Sequence, residues 1–212
     1  MRFSFAGTQE LRVQVENGAR ADVLAAADHK HLDALVQAGL AQRPVLFALN
    51  RPVLIVPASN PAKLQHFSQL PQAPRIVVGV PEVPIGAYTA QILDRADRIL
   101  GPNFRSRVLA RVVSRELNVK QIVAKVVLGE ADAAFVYETD ARAAGNKVAV
   151  LAVPDGLNPV AQYPIAILRE AANQPLAQAW IDTLLSEVGR KLLREAGFRL
   201  PPPAASDAQR AR

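Results

Sequence analysis

The chain has 212 residues, of which 50% are hydrophobic and 21% charged, and it carries a formal net charge of +6. This length and composition are typical of a folded protein with one large domain or two small lobes, and they exclude a disordered or fibrous chain. No stretch approaches the roughly 18 consecutive apolar residues that a membrane span needs. Because cysteine is absent, thiol catalysis and cysteine-bound metals are excluded as well.

Short apolar runs alternate with segments of helical periodicity along the chain. Parallel strands covered by helices on both faces produce this alternation, so the sequence predicts an α/β fold. Each predicted strand is short and is flanked by turn residues or by a helix. In chain order, the predicted strands are 2–6, 22–26, 53–56, 75–80, 133–136, 148–153 and 165–168.

Helical periodicity fills the intervals between these strands. Two short helices are expected after Thr8 and after Asp28, and the clearest helix runs from its N-cap Asn118 to Gly129. A helix that begins after Gly86 is predicted to bury Ile92, Leu93, Ala96, Ile99 and Leu100. A last helix, from 175 to 197, is predicted to turn inward Leu176, Trp180, Ile181, Leu184, Leu185 and Val188.

Positive charge is concentrated at one place, a cluster of arginines in the middle of the chain. Arg105 precedes Arg107, Arg111 and Arg115, and the last three are spaced by four residues, as on one face of a helix. Aromatic side chains that could stack on bases are not interleaved with them. We therefore interpret the cluster as a solvated basic face and predict no nucleic-acid partner.

Four segments place hydrogen-bond donors where a strand meets a helix. Helix N-termini present unpaired N–H groups and a partial positive charge, so several of them facing one cleft would bind a small oxyanion. Taken singly, each segment also has a purely structural explanation: Thr8 caps a helix, the prolines shape a turn, and Tyr137 packs. The segments are FAGTQEL at 5–11, VPEVPIGAY at 80–88, ELNVKQ at 116–121 and FVYETDA at 135–141.

These segments belong to a longer ordered set that resembles the molybdate-binding proteins of ABC transporters. The resemblance covers residues 2 to about 200, and it implies a type II periplasmic-binding-protein fold, in which two α/β lobes with mixed, mostly parallel sheets close on an anion. Besides FAGTQEL, the set comprises GARADVLAAADHKHLDALVQAGL at 18–40, FALNRPVLIVPASNP at 47–61, VGVPEVPIGAYTAQIL at 78–93, GEADAAFVYETDA at 129–141, YPIAIL at 163–168 and EAGF at 195–198.

The resemblance implies a ligand set as well as a fold. By position, Thr8 would donate its hydroxyl and its N–H, Ile85 and Val119 would donate backbone N–H groups, and Tyr137 would donate its phenol. All are neutral donors around a tetrahedral oxyanion, molybdate or tungstate, and neither a cofactor nor a separate metal ion is implied. Since Glu82 is the carboxylate that the 80–88 loop offers, we do not expect the carboxylate ligation of archaeal tungstate binders.

Proteins of this family capture the anion outside the cytoplasmic membrane and deliver it to an ABC permease. The resemblance therefore implies a periplasmic solute-binding protein that is not an enzyme. We expect the first lobe to comprise residues 1–52 and 164–200 and the second lobe to comprise residues 53–163. The composition of the remaining tail, 201–212, predicts disorder. Neither a signal peptide nor the family's first strand–helix unit is seen before the segment that opens this chain, so we expect a less stable first lobe and an incomplete anion site.

Other classes of function have weaker support in the sequence. The best metal or catalytic candidate is the set Asp28, His29, His31 and Asp33, but adjacent helical positions point in different directions. Nucleotide-binding and serine-hydrolase motifs are absent. Two alternatives stay open: an effector-sensing regulatory module of the same fold, although no segment has room for a helix-turn-helix, and a shortened form that no longer binds.

Overall fold

Residues 1–202 are described in the computed structural model, and they form eight strands and eight α-helices. The strands are β1 (Val23–Ala25), β2 (Val45–Asn50), β3 (Pro52–Pro57), β4 (Ile76–Gly79), β5 (Val112–Glu116), β6 (Ala133–Tyr137), β7 (Val148–Leu151) and β8 (Ala161–Ile167). The helices are α1 (Thr8–Glu16), α2 (His29–Gln37), α3 (Pro84–Ile99), α4 (Phe104–Leu109), α5 (Val119–Val127), α6 (Glu138–Ala144), α7 (Gln174–Leu185) and α8 (Glu187–Glu195). The predicted α/β class is confirmed.

Two separate sheets divide these strands. The first has three strands in the order β1-β8-β2, and both neighbouring pairs are antiparallel. The second has five strands in the order β5-β4-β6-β3-β7. Within it, β4 is parallel to β5 and β6, whereas β3 is antiparallel to β6 and β7. The chain passes from the first sheet to the second between β2 and β3, with Arg51 alone between the two strands, and returns between β7 and β8.

The prediction of mixed sheets is confirmed, but fewer of the neighbouring strand pairs are parallel than predicted. In the described chain, the parallel pairs are β4 with β5 and β4 with β6. The crossing strands β3 and β8 each run antiparallel to both neighbours. A buried strand gives the same apolar run in either direction, so the sequence pattern reports burial and not strand direction.

Each sheet has its own hydrophobic core. Successive side chains of β8 alternate between the two faces of the first sheet: Ala166 packs in a cluster with α1 and α2, while Ile165 and Ile167 pack with α7 and α8. The second sheet has one larger core around the fully buried β3 and β6, to which α3 and α5 contribute. We call the three-stranded sheet with α1, α2, α7 and α8 the first lobe. The five-stranded sheet with α3 to α6 is the second lobe.

Three expectations about the strands and the arginine cluster are corrected. Residues 2–6 form no strand: Phe3 and Phe5 are 63% and 79% exposed and stack on each other, because no described strand pairs with this segment. The strands β2 and β5 are not predicted, and β5 lacks a continuous apolar run because it is an edge strand with half-buried and exposed residues. Finally, Arg115 lies in β5 and shares no helical face with Arg107, because α4 ends at Leu109.

The structure agrees better with the predicted first residues of the helices than with their predicted last residues. Asp28 and Asn118 cap α2 and α5, as expected. In α3, however, Ile99 and Leu100 were predicted to be buried and are not: they are 62% and 39% exposed. The last residue of α3 in the hydrophobic core is Ala96, and the final turn of the helix extends beyond the core.

The predicted last helix is in fact two helices. Ser186 separates α7 from α8, and its Oγ accepts a hydrogen bond from Gly189 N at 3.4 Å. Leu176 lies in the first turn of α7 and Val188 lies past the break, so neither continues the inward stripe that contains Ile181, and both are exposed. A cap residue inside an apolar pattern therefore marks a break that periodicity alone does not show.

The residue boundaries of the two lobes stay a prediction, at 52/53 and 163/164. Of the predicted tail, residues 203–212 lie outside the described residues. Pro201, just before them, is buried, and its carbonyl accepts a hydrogen bond from Arg190 Nη2 at 3.1 Å. No helix of the described chain has the length and apolar character needed to cross a membrane.

Candidate functional site

Thr8 is the first residue of α1 and follows Gly7, which occupies the N-cap position. Thr8 is only 7% exposed, and its Oγ1 accepts a hydrogen bond from Ala27 N at 3.1 Å. It therefore does not cap its own helix. Because a hydroxyl can accept and donate at the same time, its hydrogen stays available, together with the N–H groups in the first turn of α1.

Ile85 lies in the first turn of α3, where this helix packs directly against the end of β4. Pro84 has no N–H, so Ile85 provides the first backbone donor of the helix. The close approach depends on Gly86, since a Cβ at this position would lie 2.0 Å from the carbonyl oxygen of Val80 and 2.7 Å from that of Gly79. The N-terminus of α3 is thus held at the carboxyl end of β4, where α/β sheets bind ligands.

Val119 is the first residue of α5, which follows β5, a parallel neighbour of β4. Two side chains organise this helix start. Asn118 Oδ1 accepts a hydrogen bond from Gln121 N at 3.0 Å, and Gln121 Oε1 accepts one from Leu117 N at 3.1 Å. These bonds serve donors on either side of Val119, whose own N–H belongs to the first turn and has no intrahelical acceptor. It faces the same edge of the sheet as the start of α3.

Tyr137 is the last residue of β6, the second parallel neighbour of β4, so it also lies at this edge. It is 4% exposed, and its hydroxyl is buried without a hydrogen-bond partner among the described residues. Its ring contacts those of Tyr88 and Tyr163 edge-on, with centroids 6.3 and 5.6 Å away. Burial raises the pKa of the Tyr137 phenol well above its usual range, so the hydroxyl keeps its proton and can donate it in a hydrogen bond.

A half-buried carboxyl group, that of Asp140, lies next to Tyr137. Asp140 Oδ2 accepts a hydrogen bond from Tyr137 N at 3.1 Å. Burial raises the pKa of Asp140 to about 6, and this hydrogen bond and the charge of Lys120 oppose the rise. Lys120 lies in the first turn of α5, with its Nζ 5.3 Å from the centre of the Phe5 ring. The second lobe therefore brings one positive side chain close to the predicted donors.

Hydrogen bonds from the first turns of α1 and α2 join the first lobe to the second beside these donors. Gln9 Nε2, in α1, donates to the carbonyl oxygen of Leu117 at 2.7 Å, just before α5. His31 Nε2, in α2, lies 2.9 Å from the carbonyl oxygen of Glu82, in the turn that leads into α3. The starts of α1 and α5 are thereby brought together, and so are the starts of α2 and α3.

The structure thus places three of the four predicted residues at strand-to-helix junctions, whereas Thr8 starts α1 after a segment that forms no strand. Ile85, Val119 and Tyr137 lie at the carboxyl ends of adjacent strands of the second lobe, and Thr8 approaches from the first lobe next to Gln9. The contacts of Gln9 and His31 across the lobes, and the two tyrosines that surround Tyr137, were not predicted from the sequence. For Gln9 the available signal was its position next to Thr8 in the FAGTQEL segment.

The surroundings of these donors suit an anion better than a metal ion. Within residues 1–202, no group of three or more His, Cys, Asp or Glu side chains is placed to hold a metal. Two cavities, of about 410 and 180 Å³, lie elsewhere: the larger is next to β7 and the smaller next to the C-terminal end of α1. Backbone N–H groups and hydroxyls at helix starts provide hydrogen bonds and partial positive charge without a formal countercharge.

Comparison with known proteins identifies relatives along nearly the whole chain. A family model described as bacterial extracellular solute-binding protein matches residues 1–199. The molybdate-binding protein ModA of Mycobacterium tuberculosis is 36% identical over 203 residues, which cover 95% of this chain and 74% of that protein. The molybdate-binding protein ModA of Escherichia coli is 28% identical over 207 residues, which cover 93% of this chain and 77% of that protein.

Solved structures share the fold at lower sequence identity. The periplasmic molybdate-binding protein of Azotobacter vinelandii has a TM-score of 0.80 at 20% identity and is matched over 94% of this chain and 87% of its own. The sulfate-binding protein SubI of Mycobacterium tuberculosis has a TM-score of 0.81 at 19% identity, over 95% and 76% of the two chains. These likenesses establish the two-lobed fold of the periplasmic binding proteins.

Proposed function

The chain belongs to the family of bacterial extracellular solute-binding proteins, and from that premise we propose that it captures molybdate or tungstate between its lobes and delivers the anion to an ABC permease. Its family serves transport, and the chain is not an enzyme. The identity of the anion is supported by the ModA relatives, which cover almost the whole chain. We further propose that it acts in the periplasm and has no nucleic-acid partner.

One observation supports the anion most directly: the buried hydroxyl of Tyr137 has no hydrogen-bond partner within 3.5 Å among the described residues, although the Tyr163 phenol lies close enough to interact with it weakly. A buried polar group without a partner costs about 1–3 kcal/mol, so such groups are rare unless a ligand or water completes them. The phenol keeps its proton because burial raises its pKa. It can therefore donate a hydrogen bond to an oxygen that carries negative charge.

The proposed site has four contributors, each a neutral donor. Thr8 donates its hydroxyl and its N–H, Ile85 and Val119 donate backbone N–H groups, and Tyr137 donates its phenol. A fully deprotonated tetrahedral dianion suits this set, because each of its oxygens only accepts and every group in the set can donate. In a protonated phosphate the P–OH group would add a donor to a site made of donors, and its proton could go only to the Thr8 or Tyr137 hydroxyl oxygen, so we expect weaker binding.

The lobes in this proposal follow the predicted boundaries, 1–52 with 164–200 and 53–163. Closure of the lobes would bring Thr8, on the first, onto an anion already held by the second. Size then separates molybdate and tungstate from sulfate, since all three carry the same charge and only the spacing of the donors distinguishes them. We therefore expect similar affinities for molybdate and tungstate and weaker binding of sulfate.

Isothermal titration calorimetry of the chain with molybdate, tungstate, sulfate and phosphate tests the proposal. We expect saturable 1:1 binding of the first two anions and an increase in thermal stability, because a ligand at 100 times its Kd adds about 2.7 kcal/mol to the free energy of unfolding. Preferential binding of sulfate would replace the proposed ligand. The absence of heat and of stabilisation with all four anions would refute the binding role proposed for this chain.

A further inference from the structure

The cross-lobe hydrogen bonds of Gln9 and His31 are made by side chains that are not proposed to touch the anion. Gln9 is in α1 and bonds to Leu117, 108 residues away, and His31 is in α2 and bonds to Glu82, 51 residues away. Both contacts join an element of the first lobe to a turn of the second.

The position of His31 defines how its ring is used. The residue is 4% exposed, its backbone N–H is held by Asp28 Oδ1 at 3.1 Å, and its Nε2 lies 2.9 Å from the carbonyl oxygen of Glu82. Because a carbonyl only accepts, Nε2 must carry the hydrogen of this bond. The other ring nitrogen, Nδ1, is buried without a partner among the described residues. The hydrogen bond that the His31 ring makes therefore goes to the opposite lobe.

Each of these bonds ends close to a proposed donor. Glu82 is three residues before Ile85 and lies within a turn that is closed by a hydrogen bond from Val83 N to Val80 O at 3.0 Å. Leu117 is two residues before Val119, and Gln9 follows Thr8 directly. Moving either contact would move the backbone that carries the corresponding donors.

We infer that Gln9 and His31 form a latch between the lobes, which keeps them closed on the anion and fixes the spacing of the donor-bearing turns. Both are positioning residues and not ligands. The inference rests on the proposed function as far as the anion is concerned. The latch itself is a property of the two lobes and can be measured separately.

A latch of this kind acts mainly on release. Opening must break both hydrogen bonds, whereas an anion that enters an open form meets neither of them. A neutral hydrogen bond of this type contributes enough to change a rate about 2- to 10-fold. We expect His31→Leu and Gln9→Ala each to raise the dissociation rate of molybdate by about that factor, and the double variant to raise it further, with a smaller change in the association rate.

Conservative and remote substitutions separate a latch from a structural role. His31→Gln keeps an N–H donor at about the reach of Nε2 and should restore slow release. His29→Leu alters a half-exposed histidine two positions away in α2 and should behave as wild type, as should Gln14→Ala, on the exposed face of α1. Stopped-flow measurement of molybdate release gives the rates, and thermal unfolding shows that each variant is folded.

A second readout does not need the anion. Because the chain has no cysteine, Gln14→Cys and Leu128→Cys introduce one spin label on each lobe at exposed positions, and pulsed electron spin resonance measures the distance between them. In the anion-free protein, His31→Leu with Gln9→Ala should lengthen or broaden this distance relative to the doubly labelled protein that keeps both residues, with or without His29→Leu. An unchanged distance distribution, or release no faster than wild type, overturns the latch. Failure of the wild type to bind molybdate, with a widened distance in the variant, overturns the proposed ligand and leaves the latch in place.

Discussion

Replacement of Gly86 by alanine tests whether the contact between α3 and β4 positions the donor at Ile85. The added Cβ would lie 2.0 Å from the carbonyl oxygen of Val80, whereas ordinary carbon–oxygen contacts begin near about 3.3 Å. The opposing atoms belong to the backbone, so no side-chain rotation can relieve the contact. The first turn of α3 must therefore move by roughly 1 Å, and the Ile85 N–H moves with it.

Such a shift is large on the scale of a hydrogen bond. A bond of about 2.9 Å stretched by about 1 Å passes beyond the range in which it is effective. Hydrogen bonds to charged groups contribute about 1.5–3 kcal/mol, so the Kd for molybdate should rise about 10- to 100-fold. Overpacking should also lower the free energy of unfolding by about 1–3 kcal/mol, an effect that the better helix propensity of alanine partly offsets.

Two other glycines provide matched controls. In Gly189→Ala the new Cβ would lie 2.2 Å from the carbonyl oxygen of Leu184, so the strain is similar, but it falls between α7 and α8 in the first lobe. This variant should lose stability and keep its affinity. Gly156→Ala meets nothing within 4 Å and should change neither. Calorimetric titration and thermal unfolding of the three variants decide the matter: if Gly86→Ala loses as much stability as Gly189→Ala but binds molybdate like wild type, Ile85 is not a ligand.

Three further variants test other parts of the structure. Tyr137→Phe removes a buried hydroxyl without a partner, so molybdate affinity should fall at least 10-fold while the anion-free protein melts no lower than wild type; a lower melting temperature would show that the hydroxyl has a structural partner. The pKa of Asp140 is raised from 3.8 to about 6, so the folded state holds its proton more tightly and stability is lost as pH rises from about 4 to about 6. Asp140→Asn should abolish this loss, at most about 3 kcal/mol in unfolding titrations, and an unchanged pH profile would contradict the assignment. Asp132→Ala removes a buried carboxylate that accepts three hydrogen bonds from Arg75, one of them from its backbone N–H, and should lower the free energy of unfolding by about 1–3 kcal/mol, against little change for the exposed Asp155→Ala.

Local chemistry accounts for what could be predicted about the site. The starts of α2 and α5 are set by Asp28 and Asn118, whose side chains bond within three residues along the chain. Pro84 likewise marks the start of α3, which was predicted after Gly86 and in fact lies two to three residues earlier, at the proline. The donors follow from these starts, because any helix has unpaired N–H groups in its first turn.

What could not be predicted depends on contacts distant in sequence. Gln9 and Leu117 are 108 residues apart, and no periodicity connects them. The exposure of Phe3 and Phe5 depends on whether another strand pairs with their segment, which an alternating pattern cannot report. The direction of the strands could not be predicted for the same reason, because the apolar run of β3 is identical whether its neighbours are parallel or antiparallel.

The order of strands in the first sheet has a consequence for how the protein is made. β1 and β2 are joined only through β8, the last strand of the described chain, whereas β3 to β7 form one continuous stretch. During synthesis at about 5–20 residues per second, β2 waits roughly 5–20 seconds for its partner, with its edge unpaired and open to association with other chains. The second lobe can fold in that interval. Completion of the first lobe therefore waits until the segment that forms the second lobe, and β8 after it, has been synthesised.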